Sequence, residues 1–307
     1  MQIDAPHPLF RFLWANRPMA RFFRGAGALL SLCSAASAAE ITLQNAVSEA
    51  RFTYEDGIRL SSFRLAGEPN VLREGPAATR GVKTWIMAPA DLVPVRDTLS
   101  EAPAQAEPLS PTAVRLWMPE PNASGLRLEW VAVLDAAEAQ LTVTHRVHLE
   151  AGPPRHLSVW ALAAFDTETV ITAPFPRSSA FPATYPVPIH FFRWTNLGDP
   201  RLRMTREALV VDLQLRVPAA NLKFGLVQPQ GVLEAHRGAT RARFQVDYDP
   251  LGTYPEGGGN LTVFASANPN GRGFGEVEHM SPLFLLKPQE TAELVQEIRL
   301  EQAVGED

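Results

Sequence analysis

From Glu40 onward, the dominant pattern in this chain is strict alternation of apolar and polar residues. In QLTVTHRVHLE, residues 140–150, apolar side chains at every second position face away from threonine, arginine and histidine. The runs 126–132, 241–248 and 293–300 alternate in the same way. A period of two buries one face of a strand and exposes the other, which is typical of antiparallel sheets. Helical periodicity is nowhere sustained, so the pattern predicts an all-β fold.

Shorter apolar runs extend this picture to most of the chain. We predict further strands at 41–45, 50–55, 58–65, 113–118, 156–164, 187–194, 208–217, 222–228 and 260–267. The 27 prolines and 20 glycines separate these runs, as a many-stranded sandwich requires. No linker interrupts them, which favours one large domain of stacked sheets over residues 39–307. Two segments rich in proline, 88–112 and 173–188, are predicted to be long loops.

The first 38 residues have the character of a signal peptide. Four arginines and no acid lie between Arg11 and Arg24, and the apolar stretch GAGALLSLCSAASAAE follows. Ala36-Ser37-Ala38 is the small-x-small pattern that a signal peptidase accepts. Translation from Met19 would leave a signal of ordinary length. An uncleaved anchor needs about 20 continuous apolar residues, and this run is shorter. We therefore expect a secreted or periplasmic protein.

Cysteine use agrees with that expectation. Cys33 is the only cysteine and lies inside the presumed signal. Lipoprotein anchoring at Cys33 is disfavoured because Leu32, the residue before it, is not small. The mature chain would therefore have neither a disulfide nor a cysteine nucleophile. A chain of roughly 270 residues can rely on its core instead, since it buries about three-quarters of its unfolded surface.

Charge and motifs narrow the classes of partner. The net charge is −5, with 20% charged residues and no basic cluster, which argues against nucleic-acid binding. No later segment is apolar enough to span a membrane, so none is expected in the mature chain. The seven histidines are scattered, and His145 and His148 fall on opposite faces of one strand. We expect no intrinsic metal and no cofactor.

The segment GFGEVEHMSP near the C-terminus carries the most conspicuous acids. In an extended strand, Glu276, Glu278 and Met280 share one face, and Val277 and His279 share the other. Two carboxylates about 7 Å apart match the spacing of an inverting glycosidase pair. Both point the same way from one strand, however, so they cannot easily flank a glycosidic bond. The alternative is that neither acid is catalytic. The segment would then be a solvated sheet edge, with one acid capping the turn before the Ser-Pro step.

Several motifs resemble galactose mutarotase-like domains, the superfamily that contains aldose 1-epimerases. ITLQNAVSEARFTYEDGIRLSSFRLAGEPNVL resembles their opening strands, with a "G-x-R-I-x-S-F" pattern followed by "N-V-L". GVKTWIMAP resembles a segment of an uncharacterised bacterial branch, and GFGEVEHMSPLFLLKPQETAELVQEIRL resembles that branch's closing strands. The resemblance covers both ends of the mature chain. The residues that fit the opening pattern are Gly57, Arg59, Ser62, Phe63, Gly67, Asn70, Val71 and Leu72.

The resemblance implies a β-supersandwich that binds sugars on a concave face. In active mutarotases a C-terminal glutamate takes the proton of the anomeric hydroxyl, and a histidine protonates the ring oxygen. By order along the chain, Glu278 matches that glutamate. The histidine's place falls within HLSVWALAAF, where Trp160 stands instead. His190 in IHFFRWTNL is the remaining candidate for the acid, although it lies well downstream.

These observations support three hypotheses. The first is an exported carbohydrate-binding protein that lacks standard aldose epimerase activity. The second is a sugar epimerase with Glu278 as general base, and the third is a structural or interaction module of the cell envelope. Sugar recognition needs aromatic platforms and planar polar side chains. The candidate ligand-binding residues are Arg59, Lys83, Trp85, Trp160, Tyr185, Trp194 and Glu276, and any of the aromatic residues could equally belong to the core.

Overall fold

A computed structural model describes residues 39–88, 99–176, 187–216, 220–268, 270 and 272–303. Twenty strands and three 3-10 turns make up its regular structure, and no α-helix occurs in these ranges. The 3-10 turns are Ala77–Thr79, Leu99–Glu101 and Glu256–Gly258. The strands are β1 Glu40–Gln44, β2 Ser48–Thr53, β3 Arg59–Leu65, β4 Val82–Met87, β5 Gln105–Ser110, β6 Ala113–Trp117, β7 Leu126–Leu134, β8 Gln140–Leu149, β9 Arg155–Asp166, β10 Thr169–Pro174, β11 Ile189–Phe191, β12 Leu202–Met204, β13 Ala208–Asp212, β14 Leu222–Leu226, β15 Val232–Arg237, β16 Thr240–Val246, β17 Leu261–Ala265, β18 Phe274–Met280, β19 Phe284–Leu286 and β20 Glu290–Gln302.

The strands form two ten-stranded antiparallel sheets. The first sheet has the order β1-β2-β3-β4-β9-β18-β17-β14-β11, with β19 paired to β9. The second has the order β12-β13-β10-β15-β16-β20-β8-β7-β6-β5. The all-β prediction is therefore confirmed. The segment Phe274–Met280, with its two acids, is β18 and lies between β9 and β17 in the first sheet.

The core lies between the inner faces of the two sheets. Alternate residues of β8 and β20 are buried, as their two-residue period predicts. The rings of Phe165 in β9 and Phe244 in β16 meet edge to face across the interface, with centroids 5.6 Å apart. The sheets are also joined by buried hydrogen bonds. Thr84 Oγ1 accepts from Trp130 Nε1 at 2.7 Å and lies 2.7 Å from His145 Nδ1.

Several strand and loop boundaries differ from the sequence prediction. The predicted loop 88–112 contains a 3-10 turn and all of β5, a strand with little buried surface and a proline, which gives no alternation signal. The predicted loop 173–188 begins inside β10, which runs to Pro174. The strand predicted at 187–194 is only β11, three residues long. None of the predicted strands covers β4, β10, β12, β15 or β19.

Candidate functional site

The outer face of the first sheet carries a row of side chains that cross it from strand to strand. Val277 and His279 of β18 face the second sheet, because both are buried in the core and His279 lies 3.3 Å from Gln296 of β20. Glu278 therefore points to the opposite, outer face. Directly paired residues share a face of a sheet. From β4 to β11, the paired residues in the row of Glu278 are Lys83, Leu162, Glu278, Thr262, Gly225 and His190.

Glu278 and Glu256 meet at one lysine on this face. Lys223 of β14 places Nζ 3.2 Å from Glu278 Oε2 and 3.1 Å from Glu256 Oε1. Glu256, in the turn before β17, also accepts from Thr262 Oγ1 at 3.4 Å. The Lys223 ammonium further lies 5.0 Å from the ring centroid of Trp160. We call Glu256, Lys223 and Glu278 the Lys223 cluster.

Glu276 belongs to a second ion pair on the same face. Its Oε1 lies 3.1 Å from Lys83 Nζ, and both side chains are nearly fully buried. Lys83 also donates to the carbonyl oxygen of Ala78 at 2.6 Å and lies 4.3 Å from the centroid of the Trp85 ring. The solvated-edge interpretation of Glu276 and Glu278 is therefore wrong. The strand that carries them lies in the interior of the sheet, and both side chains are buried.

Burial dominates the acid–base properties of the Lys223 cluster. Removal from water raises the pKa of Glu278 to about 7, and the charges of Glu276 and Glu256 add to this, while Lys223 opposes it. For Lys223, burial acts to lower the pKa, but the attraction of Glu278 and Glu256 outweighs it and the pKa is raised. The ammonium form of Lys223 is therefore stabilised. Glu278 is a carboxyl group that can exchange a proton near neutral pH.

Aromatic rings surround the charged groups. Trp85 of β4 and Trp160 of β9 are directly paired, and their rings meet edge to face with centroids 5.3 Å apart. Trp160 packs with Leu162, Met280 and Tyr254 in a small apolar cluster, separate from the main core. The Tyr254 ring stacks on that of Tyr248 at 5.3 Å.

Two buried polar atoms on this face, on side chains that both contact Lys223, lack a hydrogen-bond partner. Trp160 Nε1 is a donor without an acceptor, and Glu278 Oε2 is an acceptor without a donor, since its contact with Lys223 is within ion-pair distance but poorly directed. Trp160 is 7% exposed and Glu278 is 2% exposed. Leaving such groups unsatisfied costs about 1–3 kcal/mol each. One hydroxyl group, which both donates and accepts, has the chemistry to satisfy both atoms.

His190 occupies a slot lined by glycines at the end of the row. A Cβ atom on Gly225 would lie 2.0 Å from His190 Nε2, and one on Gly259 would lie 2.5 Å from Cε1. Burial lowers the pKa of His190, with Glu256 opposing and Lys223 adding to this shift. The Nε2 atom has no hydrogen-bond partner. His190 thus shares the face of Glu278, but β17 and β14 separate their strands.

Comparison with solved structures identifies the fold. A galactose mutarotase-like protein from Lactobacillus casei superposes with a TM-score of 0.59 and 13% identity, over 85% of this chain and 100% of the other. A galactose mutarotase related enzyme from Lactobacillus acidophilus gives 0.56 and 9%, over 86% and 98%. A galactose mutarotase-like protein from Clostridium acetobutylicum gives 0.56 and 10%, over 86% and 95%. The chain has the galactose mutarotase-like fold. No protein-family model and no curated protein sequence matches it.

Within this mutarotase-like fold, only some of the predicted site residues come together. Lys83, Trp85, Trp160, Glu276 and Glu278 come together on the outer face of the first sheet. Trp194 lies near its margin, 50% exposed, with its ring centroid 6.3 Å from that of Phe264. Tyr185 lies outside the described residues.

Arg59 stands apart from the others in its contacts. It starts β3, is 1% exposed, and none of its three guanidinium nitrogens has a hydrogen-bond partner. Burial and the nearby charge of Arg80 lower the pKa of Arg59 to about 10. Arg59 is thus a buried cation without a hydrogen-bond partner.

The sequence did not lead us to predict two members of the Lys223 cluster, Lys223 and Glu256. Lys223 could have been found, since it is a single charge within the otherwise apolar run LKFGL. Such a charge in a strand whose every residue is buried must have a partner. No sequence pattern indicates Glu256, because the glycine-rich turn around it has no periodicity. Among the described residues, no group of histidine, cysteine and acidic side chains is placed to hold a metal ion.

Proposed function

We propose that this protein is an exported carbohydrate-binding protein, with its site on the outer face of the first sheet. The observation that carries the proposal is that two buried atoms beside Lys223, Trp160 Nε1 and Glu278 Oε2, have no hydrogen-bond partner. Sugars combine hydroxyl groups, which donate and accept, with apolar ring faces that pack on aromatic side chains. The mutarotase-like fold and the names of its structural neighbours support a carbohydrate ligand.

The protein is proposed to lack standard epimerase activity because the resemblance places the histidine of active mutarotases at a position of β9 that holds no histidine. Trp160 holds that place by order along the chain, and an indole N–H does not release a proton to a ring oxygen. Trp160 therefore supplies a hydrogen bond and a ring surface for binding. Arg59, Lys83, Trp85, Tyr185, Trp194 and Glu276 remain proposed ligand-binding residues.

Trp160→Phe tests the binding site most directly, since it keeps an aromatic ring and removes the N–H. We would screen a glycan array and measure the affinity for the strongest ligand by titration calorimetry. The variant should bind about tenfold more weakly, the loss of one hydrogen bond of about 1.4 kcal/mol. Trp117→Phe, on β6 of the second sheet, is the matched control and should bind like wild type. An array without any signal would contradict the proposal.

Export is proposed from the sequence of residues 1–38. Cell fractionation should place the protein outside the cytoplasm, and N-terminal sequencing should find a chain that starts at Ala39. A full-length chain in the cytoplasm would refute this part of the proposal. Among the described residues, no helix is long and apolar enough to cross a membrane.

A sugar epimerase with Glu278 as general base is the second candidate function. The observation in its favour is the raised pKa of Glu278, about 7, because a general base works best when its pKa is near the operating pH. His190 was the acid proposed from sequence. Its strand, β11, is separated from β18 by two others, so the imidazole is poorly placed to act on the same carbon as Glu278.

A further inference from the structure

We infer that the ligand of the outer face is a neutral glycan chain rather than a single sugar. Successive sugar residues of that chain would pack on a line of aromatic side chains beside the Lys223 cluster. This inference rests on the proposed carbohydrate-binding function and names the class of ligand. The side chains are Phe192, Trp194, Phe264 and Phe274, and we call them the aromatic row.

The aromatic row lies on the same face of the first sheet as the two glutamates. Phe264 of β17 is directly paired with Glu276 on one side and with Lys223 on the other. Phe274 lies two residues before Glu276 on β18. Directly paired residues and alternate residues of one strand share a face. The Phe192 ring lies 4.8 Å from Lys223 Nζ, so it belongs to this face as well.

The rings of the aromatic row follow one another across the sheet. Successive ring centroids are 6.0, 6.3 and 5.7 Å apart, and all four rings are at least partly exposed. From the end of β11 to β18 the row crosses three strand spacings of about 4.8 Å each. At the far end, the Arg73 guanidinium lies 5.1 Å from the centroid of Phe274. A single hexose is about as large as one aromatic ring, so only a chain contacts the whole row.

A second aromatic group lies on the opposite side of the Lys223 cluster. Trp160 is directly paired with Trp85 and with Met280, which is two residues after Glu278 on β18. Phe274 lies four residues before Glu278 on the same strand. The polar centre of the site therefore has aromatic surface on both sides. A ligand that bonds to Trp160 Nε1 and also packs on the aromatic row must extend over the Lys223 cluster.

The charged side chains of this face are paired with one another, which favours a neutral ligand. Lys83 pairs with Glu276 at 3.1 Å, and Arg73 pairs with Asp166 at 2.7 Å. In the Lys223 cluster, one ammonium lies between two carboxylates. A charged glycan would have to compete with these pairs. A neutral chain packs its C–H faces on the rings and leaves the pairs intact.

The dependence of affinity on chain length tests this inference. Titration calorimetry would compare glucose and N-acetylglucosamine with cello-, malto-, laminari- and chito-oligosaccharides, from the disaccharide to the hexasaccharide. In at least one series the hexasaccharide should bind the wild-type protein at least about tenfold more tightly than the monosaccharide, because it packs on several rings. Oligogalacturonate of the same length would be measured as the charged counterpart.

Trp194→Ala is the most informative variant, because Trp194 is 50% exposed and its removal leaves the core intact. It should weaken binding of the hexasaccharide about threefold to tenfold and leave binding of the monosaccharide within about twofold. Phe274→Leu, which keeps an apolar side chain but removes the ring, should act in the same way. Trp117→Ala removes a ring from the second sheet and should bind both ligands like wild type.

The outcomes separate this inference from the binding proposal. Equal affinities for monosaccharide and hexasaccharide in every series would overturn the inference and leave sugar binding intact, whereas no binding of any sugar would overturn both. Tighter binding of oligogalacturonate than of every neutral chain would refute the neutral class. A wild-type dimer that Trp194→Ala dissociates, seen by sedimentation, would assign the aromatic row to a contact between two copies and also refute the inference.

Discussion

At the residue scale, the most unusual side chain is Arg59. A buried charge is normally paired, because transferring an ion out of water costs several kcal/mol that only a counter-ion and hydrogen bonds repay. Arg59 is 1% exposed, and its three nitrogens have no hydrogen-bond partner. Glu101 and Asp56 act on it only through longer-range attraction. We therefore expect the arginine to reduce stability at neutral pH.

Replacing Arg59 by an apolar residue of similar length should stabilise the protein. We expect Arg59→Met to raise the free energy of unfolding by about 1–4 kcal/mol, as measured by urea titration near neutral pH. Arg64→Met is the matched control on the same strand. Arg64 is 41% exposed and paired with Glu49, so its loss should change stability by at most about 1 kcal/mol. A destabilised Arg59→Met would show that the guanidinium has a compensating partner.

At the element scale, the position of β18 decides the chemistry of the site. Its neighbours β9 and β17 pair with both of its edges, and Lys83 of β4 and Lys223 of β14 contact the two glutamates from beyond these neighbours. On its inner face, β18 contacts the tight turn that precedes β15 in the second sheet. Gly231, before β15, has a φ of 61°, and its carbonyl oxygen lies 3.1 Å from His279 Nε2.

Gly231→Ala should destabilise this part of the fold strongly. A Cβ at that position would lie 1.6 Å from the carbonyl oxygen of Val246, so backbone must move. Gly238, in the turn between β15 and β16, also has a positive φ of 56°, but a Cβ there would meet nothing within 4 Å. We expect Gly238→Ala to cost about 1–2 kcal/mol from the left-handed conformation alone. Gly231→Ala should cost at least about 2 kcal/mol more, and equal losses measured by urea unfolding would contradict the clash.

At the scale of the whole molecule, two histidines are enclosed between the sheets. Burial lowers the pKa of His145 to about 3 and that of His279 to about 4. In the unfolded chain both titrate near 6.5. As the pH falls below that value, the unfolded state takes up two protons that the folded state does not, which reduces stability. Glu278 has the opposite effect, because its folded pKa of about 7 lies above its unfolded value.

On unfolding in acid, His145 and His279 take up two protons and Glu278 releases one. The net uptake of one proton by the unfolded state lowers stability as the pH falls. From about pH 6 to pH 5, the free energy of unfolding should fall by at least about 1.4 kcal/mol, with His148 and His190 adding to the loss. In Glu278→Gln the opposing proton is gone, so the fall should be about twice as large. Urea titrations at several pH values would measure both slopes. A variant slope equal to or shallower than that of wild type would show that Glu278 does not hold its proton in the fold.

The sequence by itself determined the class of fold and the faces of its strands. Alternation is a local property, because successive side chains of a strand point to opposite sides, and so the shared face of Glu276 and Glu278 follows from six residues. The same reasoning fails for β5, whose exposed residues carry no contrast between two faces. It also does not predict where β11 ends, because aromatic residues continue past the end of the strand.

Only the tertiary structure decided which strands are neighbours. The sequence did not predict the exposure of Glu276 and Glu278. Both are buried in the structure, where β18 lies between β9 and β17. Packing β14 beyond β17 brought Lys223 to Glu278, and the turn before β17 added Glu256. These partners lie far apart along the chain, and no local pattern records their distance in space. Burial and charge, which set the chemistry of the site, arise from that long-range pairing.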